Sequence, residues 1–242
     1  PLHLNILCTS SSTRAVAIGG TTETSIEFLT IASQGNGIDY GDLTTGKQTD
    51  ATSNSVRSVN YGGSTSPALQ NSIDFFTITN GGTTTDFGDA VQSIFRCRGS
   101  SNSHGGLNDG YQGTRPIPFN EAGGDRMLIS GGESSGSVSN IQSIQVSTTG
   151  NGNTFGDLSV PTDAGGGAGN KTRYLHCGGA ANPGNTRKSD IQYVTYSTEG
   201  NTADFGDMTD EKRGMSSSSN NTRALNFGGR DVPANLNILF CF

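Results

Sequence analysis

The sequence predicts an all-β fold, and three observations lead to this prediction. A module of about 40 to 50 residues returns four times and then half-returns along the 242 residues. The chain contains 36 glycines and many Ser, Thr and Asn residues, which suit tight turns and closely approaching strands better than helices. No segment shows a convincing helical periodicity of apolar residues. Because such repeats cannot bury an apolar face alone, we expect residues 1–242 to form one domain.

Each module opens with an arginine, four further residues and a pair of glycines. The arginines at this position are Arg14, Arg57, Arg126, Arg173 and Arg223. In the second module, the short polar segment 51–55 predicts an inner strand, where neighbouring modules crowd together. The segment 56–61 alternates apolar and polar residues, which predicts a second strand that Gly62 and Gly63 end with a turn.

Each complete module closes with an aromatic residue, a glycine and an aspartate. In the second module, a third strand is predicted at 72–78 and a short outer strand at 85–89. The corresponding third strands are predicted at 26–31, 141–146, 191–196 and 236–241. Four antiparallel strands per module are typical of a propeller blade, so we predict a β-propeller of about five blades.

The blade boundaries follow from the repeat, and the fifth blade is incomplete. We place the blades at 8–43, 44–90, 91–158, 159–208 and 209–242. The fifth blade lacks the closing signature, whereas the apolar segment 2–7 at the start of the chain belongs to no blade. We therefore expect residues 1–7 to complete the fifth blade, with 2–7 paired to 236–241, because such closure removes exposed sheet edges.

The charged residues that recur in every module are interpreted as structural. Catalytic groups are usually unique in a ring, whereas a carboxylate that caps the backbone amides of a turn recurs in each blade. This interpretation applies to Asp42, Asp89, Asp157 and Asp207. The five opening arginines are expected to bind either these acids or backbone carbonyls between blades. Asp39, Asp86 and Asp204 also recur, but Thr154 replaces them once, which favours a turn hydrogen bond over a metal ligand.

One junction between modules is much longer than the others. A closing Asp and the next opening Arg are 15 or 16 residues apart at three junctions but 37 apart from Asp89 to Arg126. The insertion lies within 91–125, after an inner strand predicted at 93–97. Insertions of this kind often lie on a binding face, so 99–124 is the candidate contact surface. The alternative is a loop that fills the mouth of the ring or packs on a neighbouring subunit. The residue types suited to sugar or protein contacts are His104, Asp109, Tyr111 and Arg115.

Composition and motifs argue against several other classes of function. The net charge is −6 and Lys and Arg are scattered along the sequence, which argues against a nucleic-acid partner. No apolar run is long enough for membrane insertion. The three histidines fit no hydrolase or zinc pattern, so we expect no catalytic residues, no metal and no cofactor. The cysteines are expected to be mostly buried free thiols rather than disulfides, with a Cys8–Cys241 bridge as the alternative; they are Cys8, Cys97, Cys177 and Cys241.

The glycine pair, the four strands per unit and the repeat length resemble kelch-type propeller repeats. The segment Ile191-Gln-Tyr-Val-Thr-Tyr, followed by Gly200-Asn and Asp204-Phe-Gly-Asp207, is closer to a divergent form. That form looks like the repeats of virion proteins from cyanophages and other marine bacteriophages. The resemblance implies a non-enzymatic structural protein of the virion that decorates the capsid or belongs to the tail or a tail fibre. Its partners would be other virion proteins, copies of itself or a host-surface glycan.

Two other functions stay open from the sequence. One is a secreted or cell-surface propeller that binds carbohydrate, with an extracellular location. The other is an oxidase with a kelch-like fold, which by resemblance would bind copper through Tyr, Cys and His. His176 and Cys177 are adjacent in a predicted strand, so their side chains should point to opposite faces, which weakens the oxidase interpretation.

Overall fold

The described residues form eighteen β-strands in antiparallel sheets and no helix, which confirms the all-β prediction. The computed structural model describes residues 7–11, 13–20, 23–54, 56–65, 68–103, 125–220 and 222–230. The predicted pairing of 2–7 with 236–241 lies outside these residues, apart from Leu7.

The strands fall into five sheets that follow the repeat. Sheet 1 contains β1 (Leu7–Ser10), β2 (Arg14–Ile18), β3 (Ser25–Thr30) and β4 (Ile38–Asp42). Sheet 2 contains β5 (Gln48–Ser53), β6 (Arg57–Ser64), β7 (Ser72–Thr77) and β8 (Thr85–Asp89). Sheet 3 contains β9 (Arg98–Ser101), β10 (Arg126–Ser130), β11 (Asn140–Gln145) and β12 (Asn153–Asp157). Sheet 4 contains β13 (Gly166–Gly169), β14 (Arg173–Ala181), β15 (Thr186–Thr195) and β16 (Ala203–Asp207). Sheet 5 contains β17 (Arg213–Ser219) and β18 (Ala224–Arg230).

Two predicted strand boundaries are wrong for identifiable reasons. The inner strand of sheet 3 is β9, which begins at Arg98, immediately after the predicted 93–97. Ile94 and Cys97 are instead buried in the core before that strand begins. The glycine pair does not end β6, which continues to Ser64 and pairs there with Gln48. A Cβ atom on Gly63 would lie 2.4 Å from the Gln48 carbonyl oxygen, so this close pairing requires glycine.

The hydrophobic core lies between successive sheets. The first strands of the five sheets contact one another in chain order, from β1 through β5, β9 and β13 to β17. Three buried clusters fill the spaces between sheets 1 and 2, sheets 2 and 3, and sheets 3 and 4. Each cluster combines residues from both facing sheets; Phe76 of sheet 2, for example, packs with Val16 and Ile26 of sheet 1. No sheet therefore has a core of its own, as the repeat predicts.

The aromatic-Gly-Asp signature joins the outer strands of sheets 1, 2 and 3 to the following sheet. The carbonyl oxygens of Tyr40, Phe87 and Phe155 accept hydrogen bonds of 2.7, 2.7 and 2.9 Å from glycine amides of the next sheet. At the central glycine of the signature, a Cβ atom would lie 1.9 to 2.5 Å from a carbonyl oxygen of that sheet. This close approach applies to Gly41, Gly88 and Gly156, which meet Gly82, Gly150 and Gly200 respectively. The signature is thus a joint between sheets.

The opening arginines form a second joint between sheets. Arg14 donates to the carbonyl oxygens of Ile78 and Thr79 at 2.9 and 2.6 Å, and Arg57 to those of Val146 and Ser147 at 3.2 and 2.8 Å. Arg126 donates to the Tyr196 carbonyl oxygen at 2.7 Å. Of the two partner classes left open by the sequence, these contacts are with backbone carbonyls. The guanidinium groups also lie over aromatic rings, such as those of Arg57 over Phe75 and Arg173 over Tyr193.

The aspartates that close the signature do not cap the turn amides that the sequence predicts for them. Asp42, Asp157 and Asp207 are exposed, and each carboxylate accepts a hydrogen bond from a hydroxyl beside or within the third strand, at 2.9, 2.9 and 3.0 Å. The amide caps predicted there are made by the first aspartate of the signature. Asp39, Asp86 and Asp204 accept from the glycine amide two residues later, at 3.3, 3.2 and 3.0 Å. The Asp89 amide donates to the Asn151 side chain at 3.0 Å.

A polar residue inside each third strand holds the loop that arrives from the preceding sheet. Gln142 accepts from the Val91 amide at 2.6 Å, and Gln192 accepts from the Val160 amide at 3.2 Å. In sheet 2 the corresponding residue is Asp74, whose carboxylate lies 2.7 Å from the Lys47 ammonium group. Both side chains of this ion pair are buried, at 1% and 8% exposure. In sheet 2, an ion pair therefore replaces the hydrogen bond that a glutamine side chain makes with a loop amide in sheets 3 and 4.

Candidate functional site

The first strands of all five sheets line a central cavity. The cavity has two compartments, which share lining residues such as Cys8, Ala51 and Gly167. The larger compartment, of about 600 Å³, lies where the inner strands begin, and we call it the Arg end. The smaller, of about 200 Å³, lies where these strands finish, and we call it the Ser end. A cavity reached by all five sheets is the natural candidate for a binding site.

Arg98 dominates the wall of the Arg end. Its guanidinium group lies 3.2 Å from Asp50 of the neighbouring sheet and donates to the Gly165 carbonyl oxygen at 2.7 Å. Burial raises the pKa of Asp50, and the positive charge of Arg98 opposes this rise. Burial also disfavours the charged form of Arg98, but Asp50, Tyr61 and Cys97 together outweigh this effect, so the pKa of Arg98 is raised. Arg98 therefore stays charged and ties together sheets 2 and 3 and the loop that enters sheet 4.

The Ser end is lined mainly by hydroxyl groups, several of which bond to the neighbouring inner strand. Ser53 donates to the Ser10 carbonyl oxygen at 3.1 Å, Ser101 to that of Ser53 at 2.6 Å, and Ser219 to that of Gly169 at 2.6 Å. Small polar residues thus allow the inner strands to approach one another and still satisfy their backbone groups.

The predicted contact residues belong to the connection that leaves the Ser end. This connection joins β9 to β10 and spans residues 102–125. Its two ends are anchored: Ser103 hydrogen-bonds to Ser101, and the Asp125 carboxylate accepts from the Ser147 amide at 2.8 Å. His104, Asp109, Tyr111 and Arg115 lie outside the described residues, so their contacts are a proposal.

A buried Ser–His pair joins sheets 3 and 4. The Ser130 hydroxyl lies 2.7 Å from His176 Nδ1 and 2.7 Å from the Tyr174 hydroxyl, and Thr162 Oγ1 lies 2.9 Å from His176 Nε2. All four side chains are at most 1% exposed. Serine and histidine at this distance are typical of hydrolases, but a substrate cannot reach this pair. The chain of hydrogen bonds instead satisfies buried polar groups at the joint.

The burial of His176 has a consequence for stability that can be measured. Burial, with a contribution from Arg98, lowers the pKa of His176 from its usual 6.5 to about 3. Between these values the unfolded chain takes up a proton that the folded protein does not. The free energy of unfolding should therefore fall as the pH is lowered from 6.5 towards 3, by up to about 1.4 kcal/mol per pH unit. Urea unfolding at several pH values measures this slope.

The His176→Asn variant is the control for this titration. It keeps a polar side chain at the joint but removes the imidazole, so the stability difference from the parent should shrink as the pH falls. Parallel stability curves for the parent and the variant would contradict the assignment of a neutral, buried imidazole.

Cys8, Cys97 and Cys177 are free thiols, and Cys241 lies outside the described part of the chain. Burial raises the pKa of Cys177 to about 11, which suits an unreactive thiol. Within the described ranges, no three His, Cys, Asp or Glu side chains are grouped so as to hold a metal ion. No helix among these residues is long and apolar enough to cross a membrane.

A cluster of cations at the Arg end was not predicted from the sequence. Lys and Arg are scattered along the sequence, but the fold brings Arg96, Arg187, Arg213 and Arg230 together where sheets 3, 4 and 5 meet. The available signal was weak: two of these arginines occur next to Lys188 and Lys212, without any motif.

Comparison with known proteins supports the fold and gives no function. No family model matches the chain, and no curated protein matches it. Among solved structures, 167 chains are similar. One of them, described as the structure of YjhT, matches with a TM-score of 0.70 at 10% sequence identity over 94% of this chain and 72% of that chain. At this identity the likeness concerns the fold alone, and one fold can host many activities.

Proposed function

We propose that the chain is a closed, kelch-like β-propeller of five blades that serves as a non-enzymatic structural protein of a virion. In this proposal it decorates the capsid or belongs to the tail or a tail fibre, and it mediates assembly or contact with the host surface. Other virion proteins, further copies of this chain or a host-surface glycan would be its partners. The resemblance of the repeats to those of marine phage virion proteins suggests this class.

Closure of the ring is supported by the position of the first described strand. Leu7, at the start of β1, lines the same compartment as Gly214 and Phe227 of sheet 5. Sheets 1 to 4 have four strands each, whereas the described part of sheet 5 has two. Residues 1–6 and 231–242 are the segments of the chain that remain to complete sheet 5.

One observation carries the non-enzymatic proposal: the repeated residues of the modules contact neighbouring sheets. The opening arginines bind carbonyl oxygens of the next sheet, and the signature glycines accommodate its backbone. The serine and histidine that lie at catalytic distance are buried within a joint. The chemistry of the repeat thus serves assembly of the ring, and the insertion at 104–124 is the feature that distinguishes one blade from its siblings.

A propeller that binds carbohydrate outside the cell is the second candidate. It is favoured by the Ser end, where hydroxyl groups such as those of Thr52 and Ser218 line a compartment next to the insertion. Hydroxyl groups can exchange hydrogen bonds with a sugar. A protein with this function should bind sugar outside any assembly.

The proposal is tested by replacing residues 104–124 with a short Gly-Ser bridge. Ser103 and Asp125 are retained because their side chains bond to the ring. We expect the same thermal midpoint as the parent, because the described strands lie outside this span, but loss of incorporation into particles or of attachment to host cells. Quantitative mass spectrometry of purified particles and an adsorption assay measure these effects.

A substitution at the same end of the ring provides the control. Glu199→Gln changes an exposed residue in the turn between β15 and β16 and should leave both readouts unchanged. If the trimmed protein is incorporated and attaches normally, the insertion is not the contact surface. If the parent chain is missing from purified particles but binds a sugar in isolation, the carbohydrate-binding candidate replaces the virion proposal.

A further inference from the structure

Four arginines at the Arg end lie around one small loop. Arg213 and Arg230 are direct partners in the pairing of β17 with β18. The side chains of Arg187 and Arg213 both donate to Asn185, the former to its carbonyl oxygen at 3.0 Å and the latter to its side-chain oxygen. Arg187 and Arg213, from sheets 4 and 5, therefore meet at Asn185.

Arg96 reaches the same place from sheet 3. The Ala164 amide donates to the Arg96 carbonyl oxygen at 2.9 Å, and the Gly214 amide donates to the Ala164 carbonyl oxygen at 2.6 Å. Ala164 thus bridges the backbone at Arg96 to the residue that follows Arg213. Arginines from three sheets surround the loop that contains Asp163 and Ala164.

The acidic groups nearby offset only part of this positive charge. Glu133 lies 3.0 Å from Arg96, and Asp163 is fully buried, with Asn182 donating to it at 2.6 Å. Lys212, which also lies here, has Asp210 at 3.0 Å. Burial, together with the positive charges of Arg187 and Arg96, lowers the pKa of Arg213. The positively charged side chains therefore lie close together here, although the whole chain carries a net charge of −6.

Two further observations indicate that this cluster is built to meet a ligand. The Nε atom of Arg187 is a buried donor without a hydrogen-bond partner among the described residues. Such an orphaned donor is costly unless another group satisfies it. In addition, the described non-glycine residues with a positive φ all belong to this cluster; they are Arg96, Ala164 and Asn185, at 55°, 51° and 55°. Strained backbone of this kind is concentrated at functional sites.

We propose that this cluster, at the mouth of the Arg end, binds an oxyanion, namely a carboxylate, phosphate or sulfate group of a small ligand. Guanidinium groups bind such planar or tetrahedral oxyanions through paired N–H donors, and Arg187 and Arg213 are the principal donors in this proposal. The neighbouring wall of the cavity, with Phe95, Met215 and Phe227, would contact the less polar part of the ligand. The inference is independent of the virion proposal, since it concerns the isolated chain.

Calorimetric titration at moderate ionic strength tests the site with three probes: inorganic phosphate, sulfate and acetate. We expect saturable binding of at least one probe with one site per chain, and none of neutral glucose at the same concentration. Arg213→Gln and Arg187→Gln should each weaken binding about tenfold or more, because each removes a charge-assisted hydrogen bond. The preferred probe identifies which oxyanion the site accepts.

Lys171→Gln is the matched control, since it removes one positive charge at the opposite end of the ring. It should leave the affinity within about twofold of the parent, because screening at moderate salt limits the reach of a distant charge. Thermal unfolding of each variant confirms that it is folded; if one arginine variant does not fold, the other decides. Absence of saturable binding by all three probes, or equal losses in Lys171→Gln and the arginine variants, would overturn the proposal.

Discussion

Lys47→Ile should lower the free energy of unfolding by about 3–5 kcal/mol, because it leaves the buried Asp74 carboxylate without its counter-charge. Lys47 is 1% exposed, and its ammonium group lies 2.7 Å from Asp74 Oδ2 and 2.6 Å from the Ser72 hydroxyl. After the substitution, the hydrogen bond that the Thr44 hydroxyl donates to Asp74 at 3.4 Å cannot replace the lost cation. Denaturant unfolding of the two proteins measures the change.

The repeat itself supplies the compensating substitution. Lys47 lies five residues after Asp42, and the residue five after Asp89 is Ile94, which is equally buried. The residue that corresponds to Asp74 in that sheet is Gln142. The double variant Lys47→Ile with Asp74→Gln therefore copies a pair that already exists in the same protein. It should recover most of the lost stability, ending within about 1–2 kcal/mol of the parent. If Lys47→Ile alone is as stable as the parent, the ion pair is not buried as described.

Gly156→Ala should have the second-largest effect, a loss of about 3 kcal/mol or more in unfolding free energy. A Cβ atom at this position would lie 1.9 Å from the Gly200 carbonyl oxygen, which belongs to the turn of the following sheet. Because the clash is with backbone, no side-chain rotation relieves it. The hydrogen bond of 2.9 Å from the Gly200 amide to the Phe155 carbonyl oxygen would have to lengthen as the sheets move apart. Thermal and denaturant unfolding measure the loss.

Gly206→Ala separates this steric effect from backbone strain. Gly206 holds the same place in the signature of sheet 4 and has a φ of +135°, but a Cβ atom there would meet no atom of the described residues within 4 Å. We expect a loss of about 1 kcal/mol for this variant, from strain alone. A loss at Gly156 no larger than the loss at Gly206 would contradict the steric explanation of the signature glycine.

The strand pattern was predictable because the local signals agree with one another. The predicted third strands at 72–78 and 141–146 match β7 and β11 to within one residue at each end, since alternation and flanking turns are local properties. The strand predicted at 191–196 ends one residue after β15 does, but β15 begins five residues earlier, at Thr186. The start of β9 was misplaced because Ile94 and Cys97 have the apolar character of a strand but serve the core between sheets 2 and 3. Whether such an apolar residue belongs to a strand or to the core between two sheets depends on how the neighbouring sheet packs.

The candidate site was less predictable because it is made by residues distant in sequence. Arg96 and Arg213 are 117 positions apart, and nothing in their local sequence differs from an exposed surface charge. The recurrence of Arg14, Arg57 and Arg126 did indicate a structural role, but not whether acids or carbonyl oxygens would bind them. That choice depends on which atoms the next sheet presents, and a single module does not contain this information.

The joints between sheets all have the same direction, and this property limits how the molecule can assemble. Sheets 2 and 3 each offer a signature carbonyl oxygen on one side and a glycine turn on the other, so the contact is head to tail and never pairs a surface with itself. Repeated contacts of this type end only when the rotation between units closes a circle; otherwise they grow into open filaments. Phe205, in the signature of sheet 4, is 52% exposed, whereas Phe87 and Phe155 are 3% exposed. A chain shortened by one module would leave both kinds of surface unmatched, and its copies would then associate end to end.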